Sequence, residues 1–164
     1  MIVLKIEKIS ENSFNVYLNK FYLKNSDLET KTDLEEYFKS FFLTLKKYYH
    51  ISMEGFYVIQ VYQDSYYGMV LHIVKEDFEY FDLEVVDMRI RLKKSCFLYH
   101  LEDEDGLESL LSFGDFYQIN DHLYLKLNKD LNNYQLGQLE EFTTLIFEDT
   151  DLLLKQAKAI KIVI

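Results

Sequence analysis

The segment that decides the fold is LEEYFKSFFLTLKKYY, residues 34–49. Its apolar residues recur at the i, i+3, i+4, i+7 spacing of a single helix face, which predicts an amphipathic helix. These residues are Leu34, Tyr37, Phe38, Phe41, Phe42, Leu45, Tyr48 and Tyr49. Thr32 and Glu35 have the T-x-x-E spacing of a capping box at the start of this helix. We interpret the aromatic stripe as the buried face of a helix that packs on a sheet.

Segments typical of β-hairpins lie on both sides of this helix. Before it, Met1–Ile9 and Ser13–Leu18 alternate apolar and polar residues around a Ser-Glu-Asn turn. After it, Phe56–Tyr62 and Gly68–Val74 are rich in β-branched and aromatic residues and are joined by a polar turn. The first half is therefore predicted to have the order ββαββ.

The second half alternates strands and helices more often. Asp103, then Asn132 or Asn133, then Asp149 or Thr150 are candidate N-caps of its three helices. The predicted strands are Val85–Leu92, Cys96–Leu101, Phe116–Ile119, His122–Leu127, Thr144–Glu148 and Ile160–Ile164. From Cys96 the order is βαββαβαβ, which resembles a ferredoxin-like split βαβ unit with an added tail.

The predicted fold class is therefore α+β, with mostly antiparallel sheets in two small domains. The first domain is expected at residues 1–80 and the second at residues 95–164. Residues 81–94 are expected to form a short linker or a connecting strand, because the chain has no proline and no Gly/Ser-rich stretch.

Charge is divided unevenly along the chain. Residues 1–75 hold nine acids and nine bases, whereas residues 76–164 hold nineteen acids and nine bases. A neutral half and an acidic half predict two surfaces that meet different partners. The net charge of −10 argues against a nucleic-acid partner, because phosphate binding needs clustered Lys and Arg.

The sequence also bears on the compartment. No apolar run approaches the ~20 residues that span a bilayer, and the first residues alternate in a way unlike a signal peptide. The single cysteine, Cys96, cannot form an internal disulfide, which agrees with a reducing compartment. We expect a cytoplasmic protein with no membrane partner.

Catalytic and metal-binding signatures are sparse. Cys96 and His100 would pair as nucleophile and base only on a helix, whereas in the predicted strand they lie ~13 Å apart. His50, His72 and His122 occur singly, without the paired spacing of a zinc site, and are interpreted as structural or surface residues. Nucleotide-binding and serine-hydrolase motifs are absent from the sequence. We predict a protein that is not an enzyme and has no catalytic residue, metal or cofactor.

Several tyrosines fall in predicted turns, where periodicity does not dictate burial. Aromatic residues at such places suit a protein-binding surface. Tyr22, Tyr66 and Tyr67 are therefore the candidate residues for binding substrate proteins.

A collinear series of segments resembles the MecA family of adaptor proteins over nearly the whole chain. In the first half these are residues 7–13 (EKISENS), 34–38 (LEEYF), 53–61 (MEGFYVIQV), 68–69 (GM) and 73–75 (IVK). In the second half they are residues 97–103 (FLYHLED), 116–125 (FYQINDHLYL) and 139–142 (LEEF). Each motif is a strand or turn pattern, so the likeness depends on their common order.

This resemblance implies a non-enzymatic adaptor of Gram-positive-type bacteria. In the family, the amino-terminal domain captures substrate proteins and the carboxy-terminal domain docks on the Hsp100 ATPase ClpC. Docking promotes ring assembly and delivers substrates to the ClpP peptidase, in regulated proteolysis that includes competence regulation. For this chain it implies that Glu140, Glu141, Asp149 and Asp151 contact the ATPase. The open alternative is an acidic inhibitor, antitoxin or phage-encoded module with a different basic partner.

Overall fold

The computed structural model describes residues 5–23, 36–41, 43, 44, 47, 55–76, 86–160 and 162. These residues form an α+β fold with two five-stranded sheets and few short helices. The strands are β1 (Lys5–Ser10), β2 (Ser13–Asn19), β3 (Gly55–Asp64), β4 (Gly68–Glu76), β5 (Val86–Lys94), β6 (Leu98–Leu101), β7 (Gly114–Ile119), β8 (His122–Leu127), β9 (Thr143–Ile146) and β10 (Lys158–Ile160). The helices are α1, with helical residues at 36–41, 43, 44 and 47, followed by α2 (Leu107–Leu110), α3 (Asn133–Phe142) and α4 (Thr150–Gln156).

The chain divides into two compact units. Unit 1 comprises Met1–Tyr62 and Met69–Lys93, and unit 2 comprises Gln63–Gly68 and Lys94–Ile164. The predicted domains, 1–80 and 95–164, stay predictions about independently folding pieces. In unit 2, the turn after β3 is fixed by Asp64, whose Oδ2 accepts from the backbone N–H groups of Tyr66 and Tyr67 at 3.0 and 2.9 Å.

The sheet of unit 1 has the strand order β1-β2-β4-β3-β5 and is mixed. β1 and β2 form the predicted antiparallel hairpin, in which Glu7 lies opposite Asn15. β5 lies beside β3, so the stretch predicted as a linker or connecting strand supplies the fifth strand of this sheet.

The core of unit 1 lies where α1 packs on this sheet. Phe38 and Phe41 are buried, as their place on the aromatic stripe predicted, and they pack with Leu18, Ile59 and Leu71. Each fully buried side chain of this size stabilises the fold by about 1.5–3 kcal/mol. The rest of the stripe, apart from half-buried Tyr37, and the predicted Thr32–Glu35 capping box lie outside the described residues.

The sheet of unit 2 has the order β10-β7-β8-β6-β9, and every neighbouring pair is antiparallel. The order of its elements along the chain, β6-α2-β7-β8-α3-β9-α4-β10, is the predicted βαββαβαβ. Between β7 and β8, Asn120 takes a left-handed conformation with φ of 53°, which asparagine tolerates better than most residues.

Two of the predicted helix caps in unit 2 are present. The Asp103 carboxylate accepts a hydrogen bond from the backbone N–H of Asp105 at 2.9 Å, at the 3-10 turn Glu104–Gly106 that leads into α2. Asn132 begins α3 in a capping box with Gln135, with hydrogen bonds of 2.8 and 3.0 Å. Asp149 is the N-cap residue of α4, one of the two residues predicted, but its side chain makes no cap hydrogen bond.

One face of the unit 2 sheet is closed. Leu125 on β8 is the direct partner of Tyr99 on β6 and of Phe116 on β7. All three side chains are at most 4% exposed. On α3, Leu136 and Leu139 are likewise buried. Among the described residues, no helix has both the length and the apolar character needed to cross a bilayer.

Candidate functional site

A row of polar and aromatic side chains crosses the other face of the unit 2 sheet. Its members are direct register partners on successive strands: Ala159, Tyr117, Tyr124, His100 and Thr144. Because successive side chains of a strand point to opposite faces, this row lies opposite the closed face. Its members are half-buried or exposed, and we call it the open row.

The pairing of β6 with β8 brings two histidines together on this face. His100 lies directly opposite Tyr124, and His122 is two residues before Tyr124 on the same strand. A residue two positions along the partner strand is the diagonal neighbour in an antiparallel pair, within reach of a long side chain. The ring centroids of His100 and His122 are 5.0 Å apart, and the Tyr124 ring lies 5.1 Å from the His100 ring.

The two imidazoles and a carboxylate form a hydrogen-bonded chain. His100 Nε2 lies 3.0 Å from His122 Nδ1, and His100 Nδ1 lies 2.6 Å from Glu102 Oε1. Since an ionised carboxylate can only accept, His100 Nδ1–H is the donor to Glu102. In a neutral His100 ring Nε2 then carries the lone pair, so that His122 Nδ1–H donates to it.

Its hydrogen bonds favour the charged form of the Glu102 carboxyl. The hydrogen bond from His100 holds the pKa of the Glu102 carboxyl below its ordinary value, and a hydrogen bond from Thr144 acts in the same direction. Both bonds favour the charged form of the carboxyl. The His100 side chain is 19% exposed and that of Glu102 is 51% exposed, so the cluster is accessible from solvent.

Cys96 and His100 do not form a nucleophile and base pair. Both ring nitrogens of His100 are engaged by Glu102 and His122. Burial raises the pKa of the Cys96 thiol, which opposes thiolate formation, although nearby Lys126 acts in the opposite direction. Cys96 lines a small cavity of about 130 Å³ in unit 2, beside Asp64 and Lys126. Burial of Cys96 therefore works against activation of its thiol.

The four acids predicted to contact an ATPase lie on two helices. Glu140 and Glu141 are exposed in the last turn of α3, and Asp149 and Asp151 are exposed at the start of α4. α3 packs against β9, whereas α4 packs against β7. Because β6 and β8 lie between those strands, β7 and β9 are ~14 Å apart. The two pairs of acids therefore lie on different helices, and their contact with an ATPase stays a prediction.

The three candidate tyrosines for substrate binding differ in exposure. Tyr22, in unit 1, is half-buried and makes an edge-to-face contact with Phe41 at 6.4 Å. Tyr66 and Tyr67 belong to unit 2, where Tyr66 is half-buried and Tyr67 is only 4% exposed against Phe97. Tyr67 is therefore a packing residue in this conformation, and client binding by the three residues stays a prediction.

Unit 1 has a wider cleft that the sequence did not reveal. Its volume is about 320 Å³, and it lies at the turn end of the β1–β2 hairpin. Ile6, Phe14 and Tyr57 give it an apolar lining, to which Lys8 and Lys75 add positive charge. Its remaining lining residues are Ser10, Glu11 and Asn12. β1 and β4 each carry one of the two lysines, so the cleft depends on strands that are distant in sequence.

The histidine cluster was also missed by sequence reasoning, since His100 and His122 have no local motif. Both histidines lie on the same face of two neighbouring strands, and this becomes visible only when the register of β6 and β8 is known. Within the described part of the chain, no group of three or more His, Cys, Asp or Glu residues is arranged to hold a metal ion. Glu102 contacts His100 at Nδ1, whereas His122 contacts it at Nε2.

Comparison with known proteins gives no relative for this chain. No protein-family profile matches it, and no curated protein or solved structure is detectably similar.

Proposed function

We propose that this chain is a MecA-like adaptor in which unit 1 captures client proteins and unit 2 docks on a ClpC-type Hsp100 ATPase, for ClpP-dependent degradation. The observation that carries the proposal is the charge of the two compact units. Unit 2 holds 14 acids and six lysines, a net charge of −8, whereas unit 1 holds 14 acids and 12 bases, a net of −2. A strongly acidic unit favours and accelerates encounter with a basic partner surface.

The position of Glu140 and Glu141 supports a docking role for α3. Carboxylates at the carboxyl end of a helix oppose the helix dipole, and the last turn of α3 has no basic residue to compensate. For Glu141 this position is unfavourable for the helix, which supports a role of its carboxylate in binding a partner. Asp149 and Asp151 differ, because acids at the amino end of α4 favour that helix by themselves.

The strand order of unit 2 supports the expected split βαβ arrangement. β8 lies between β6 and β7, and β9 lies on the outer side of β6. We interpret β6–β9 as the ferredoxin-like part and β10, which pairs with β7, as the added tail.

The cleft in unit 1 supports client capture. Ile6, Phe14 and Tyr57 suit an apolar side chain, and Lys8 and Lys75 suit acidic residues beside it. On this proposal, a client presents an apolar residue flanked by carboxylates.

The docking half of the proposal is tested by mixing the full-length chain with purified ClpC and measuring co-elution and ATPase rate. We expect a complex at low salt and a raised ATPase rate. Glu141→Lys is expected to weaken binding about tenfold, or ~1.4 kcal/mol, and to make the residual affinity less sensitive to salt, since exposed charges are screened over ~10 Å at 0.1 M.

The matched control is Asp121→Lys, which makes the same charge change at the exposed β7–β8 turn of unit 2. If both variants lose the same affinity for ClpC, the effect comes from net charge alone, and α3 is not part of the docking site. Absence of a complex at low salt contradicts the adaptor proposal. In that case, retention of the chain by a different basic protein supports an acidic inhibitor, antitoxin or phage-encoded module.

A further inference from the structure

The arrangement of His100 and His122 has the dimensions of a metal chelate. For metal–nitrogen bonds of about 2.0–2.1 Å, nitrogen atoms 3.0 Å apart subtend roughly 91–97° at the metal. That angle fits neighbouring positions of square-planar or octahedral coordination better than a tetrahedron. Imidazole ligands in square-planar or tetragonal geometry are typical of Cu(II) and Ni(II).

Glu102 supplies the second feature of a metal site. Histidines that bind metals almost always donate their other ring N–H to a carboxylate, a carbonyl or water, which fixes the tautomer and raises the basicity of the ligand. His100 Nδ1 makes this contact with Glu102 at 2.6 Å, which leaves the lone pair on Nε2, the ring nitrogen nearest His122, for a cation. The Tyr124 ring packs beside His100 and restricts its orientation.

From this geometry we infer that His100 and His122 bind a Ni(II)- or Cu(II)-like cation through Nε2 and Nδ1, with Glu102 as the positioning residue. In the metal-free state one hydrogen lies between the two nitrogens. Binding requires His122 to carry its hydrogen on Nε2 instead, so the ring changes tautomer and the protein loses no net proton. His122 is exposed, which allows solvent to accept that N–H.

Water completes the coordination, because Glu102 is turned away from the two ligating nitrogens. The net charge of −8 on unit 2 adds a field that attracts cations. The site does not depend on the adaptor proposal, since it needs only the pairing of β6 with β8.

The test is calorimetric titration of the untagged full-length protein with nickel chloride. We expect one Ni(II) per chain and a loss of at least about tenfold in affinity in His100→Ala and in His122→Ala. His50→Ala, which removes a histidine elsewhere in the sequence, is the matched control and is expected to bind as the native chain does. Circular dichroism of each variant checks that it is folded.

Glu102→Gln tests the positioning role. We expect affinity to fall by about 10–100-fold, the usual effect of removing such an outer partner. The Cu(II) electron paramagnetic resonance spectrum is expected to keep the signature of two nitrogen ligands in this variant and to lose it in His122→Ala. Unchanged nickel affinity in either histidine variant, or no binding by the native chain, overturns the site. Unchanged affinity in Glu102→Gln overturns the role of Glu102.

Discussion

The two sheets place histidine in opposite settings. In unit 1, His72 on β4 donates from Nδ1 to Asn15 Oδ1 on β2 at 2.7 Å, and Asn15 is only 6% exposed. In unit 2, His100 and His122 meet on an open sheet face, with Glu102 as their carboxylate partner. Histidine thus contacts a buried asparagine in one sheet, whereas in the other two histidines meet each other on a face accessible to solvent.

The difference follows from how many faces of each sheet are closed. β2 is buried on both faces, because Asn15 and Tyr17 on one face are at most 9% exposed and Val16 and Leu18 on the other are completely buried. Polar groups in such a strand must find partners within the protein, since an unsatisfied buried group costs about 1–3 kcal/mol. β8 alternates toward its end, with Leu125 and Leu127 buried and Tyr124 and Lys126 half-buried. Its outward side chains are free to meet solvent or a ligand.

The largest effect is expected from the closed face of unit 2. Leu125 is completely buried, so Leu125→Ala removes packing and leaves a cavity, which lowers the free energy of unfolding by about 2–5 kcal/mol. Amide hydrogen exchange in β6 and β8 measures this change. Tyr124→Phe, at the neighbouring residue on the open row, is the control and should change it by less than about 0.5 kcal/mol. If Tyr124→Phe lowers the free energy of unfolding as much as Leu125→Ala does, this sheet has no open face.

The contrast between the histidine settings is tested directly by removing one partner from each. Asn15→Ala removes the hydrogen-bond partner of His72 Nδ1–H and of the Glu7 carboxylate. It should lower the free energy of unfolding by about 1–3 kcal/mol. His122→Ala removes an exposed side chain and should cost less than about 0.5 kcal/mol. Urea unfolding of both variants measures the difference. Equal costs would show that burial does not distinguish the two settings.

Local signals predicted much of the fold. The β1–β2 and β7–β8 hairpins, the Asp103 and Asn132 caps and the buried positions of Phe38 and Phe41 all depend on residues within a few positions of one another. Such contacts are set by turn chemistry, capping and helical periodicity, which act over a single turn or strand.

Non-local pairings escaped the sequence. Nothing in the residues of β5 indicates that it lies beside β3, or that β10 lies beside β7. The sequence analysis considered His100 only with Cys96 and interpreted His122 singly, because the contact of the two histidines requires the register of two strands and joins residues 22 positions apart. Register depends on which face is buried, and that is decided by the whole unit.

A smaller effect is expected on the closed face, next to His100. Among the described residues, the Tyr99 hydroxyl is buried and has no hydrogen-bond partner, and burial raises the pKa of Tyr99 well above its ordinary value. Tyr99→Phe removes this unsatisfied group and should raise the free energy of unfolding by about 1 kcal/mol. Hydrogen exchange in β6 measures the gain. A loss of stability would indicate that the hydroxyl is satisfied in solution.

The smallest effect concerns pH and returns to unit 1. Burial raises the pKa of Tyr37 to about 12, and nearby Tyr22 acts in the same direction. In the unfolded chain the phenol ionises near pH 10, so the stability that comes from keeping Tyr37 neutral is present below that pH and is lost as pH rises toward 12. Urea midpoints between pH 9 and pH 11 should therefore fall more steeply for the native chain than for Tyr37→Phe. If the urea midpoints of the native chain and of Tyr37→Phe change with pH in the same way, the Tyr37 hydroxyl is in contact with water. The surroundings of α1 in unit 1 would then be as accessible to solvent as the open row of unit 2.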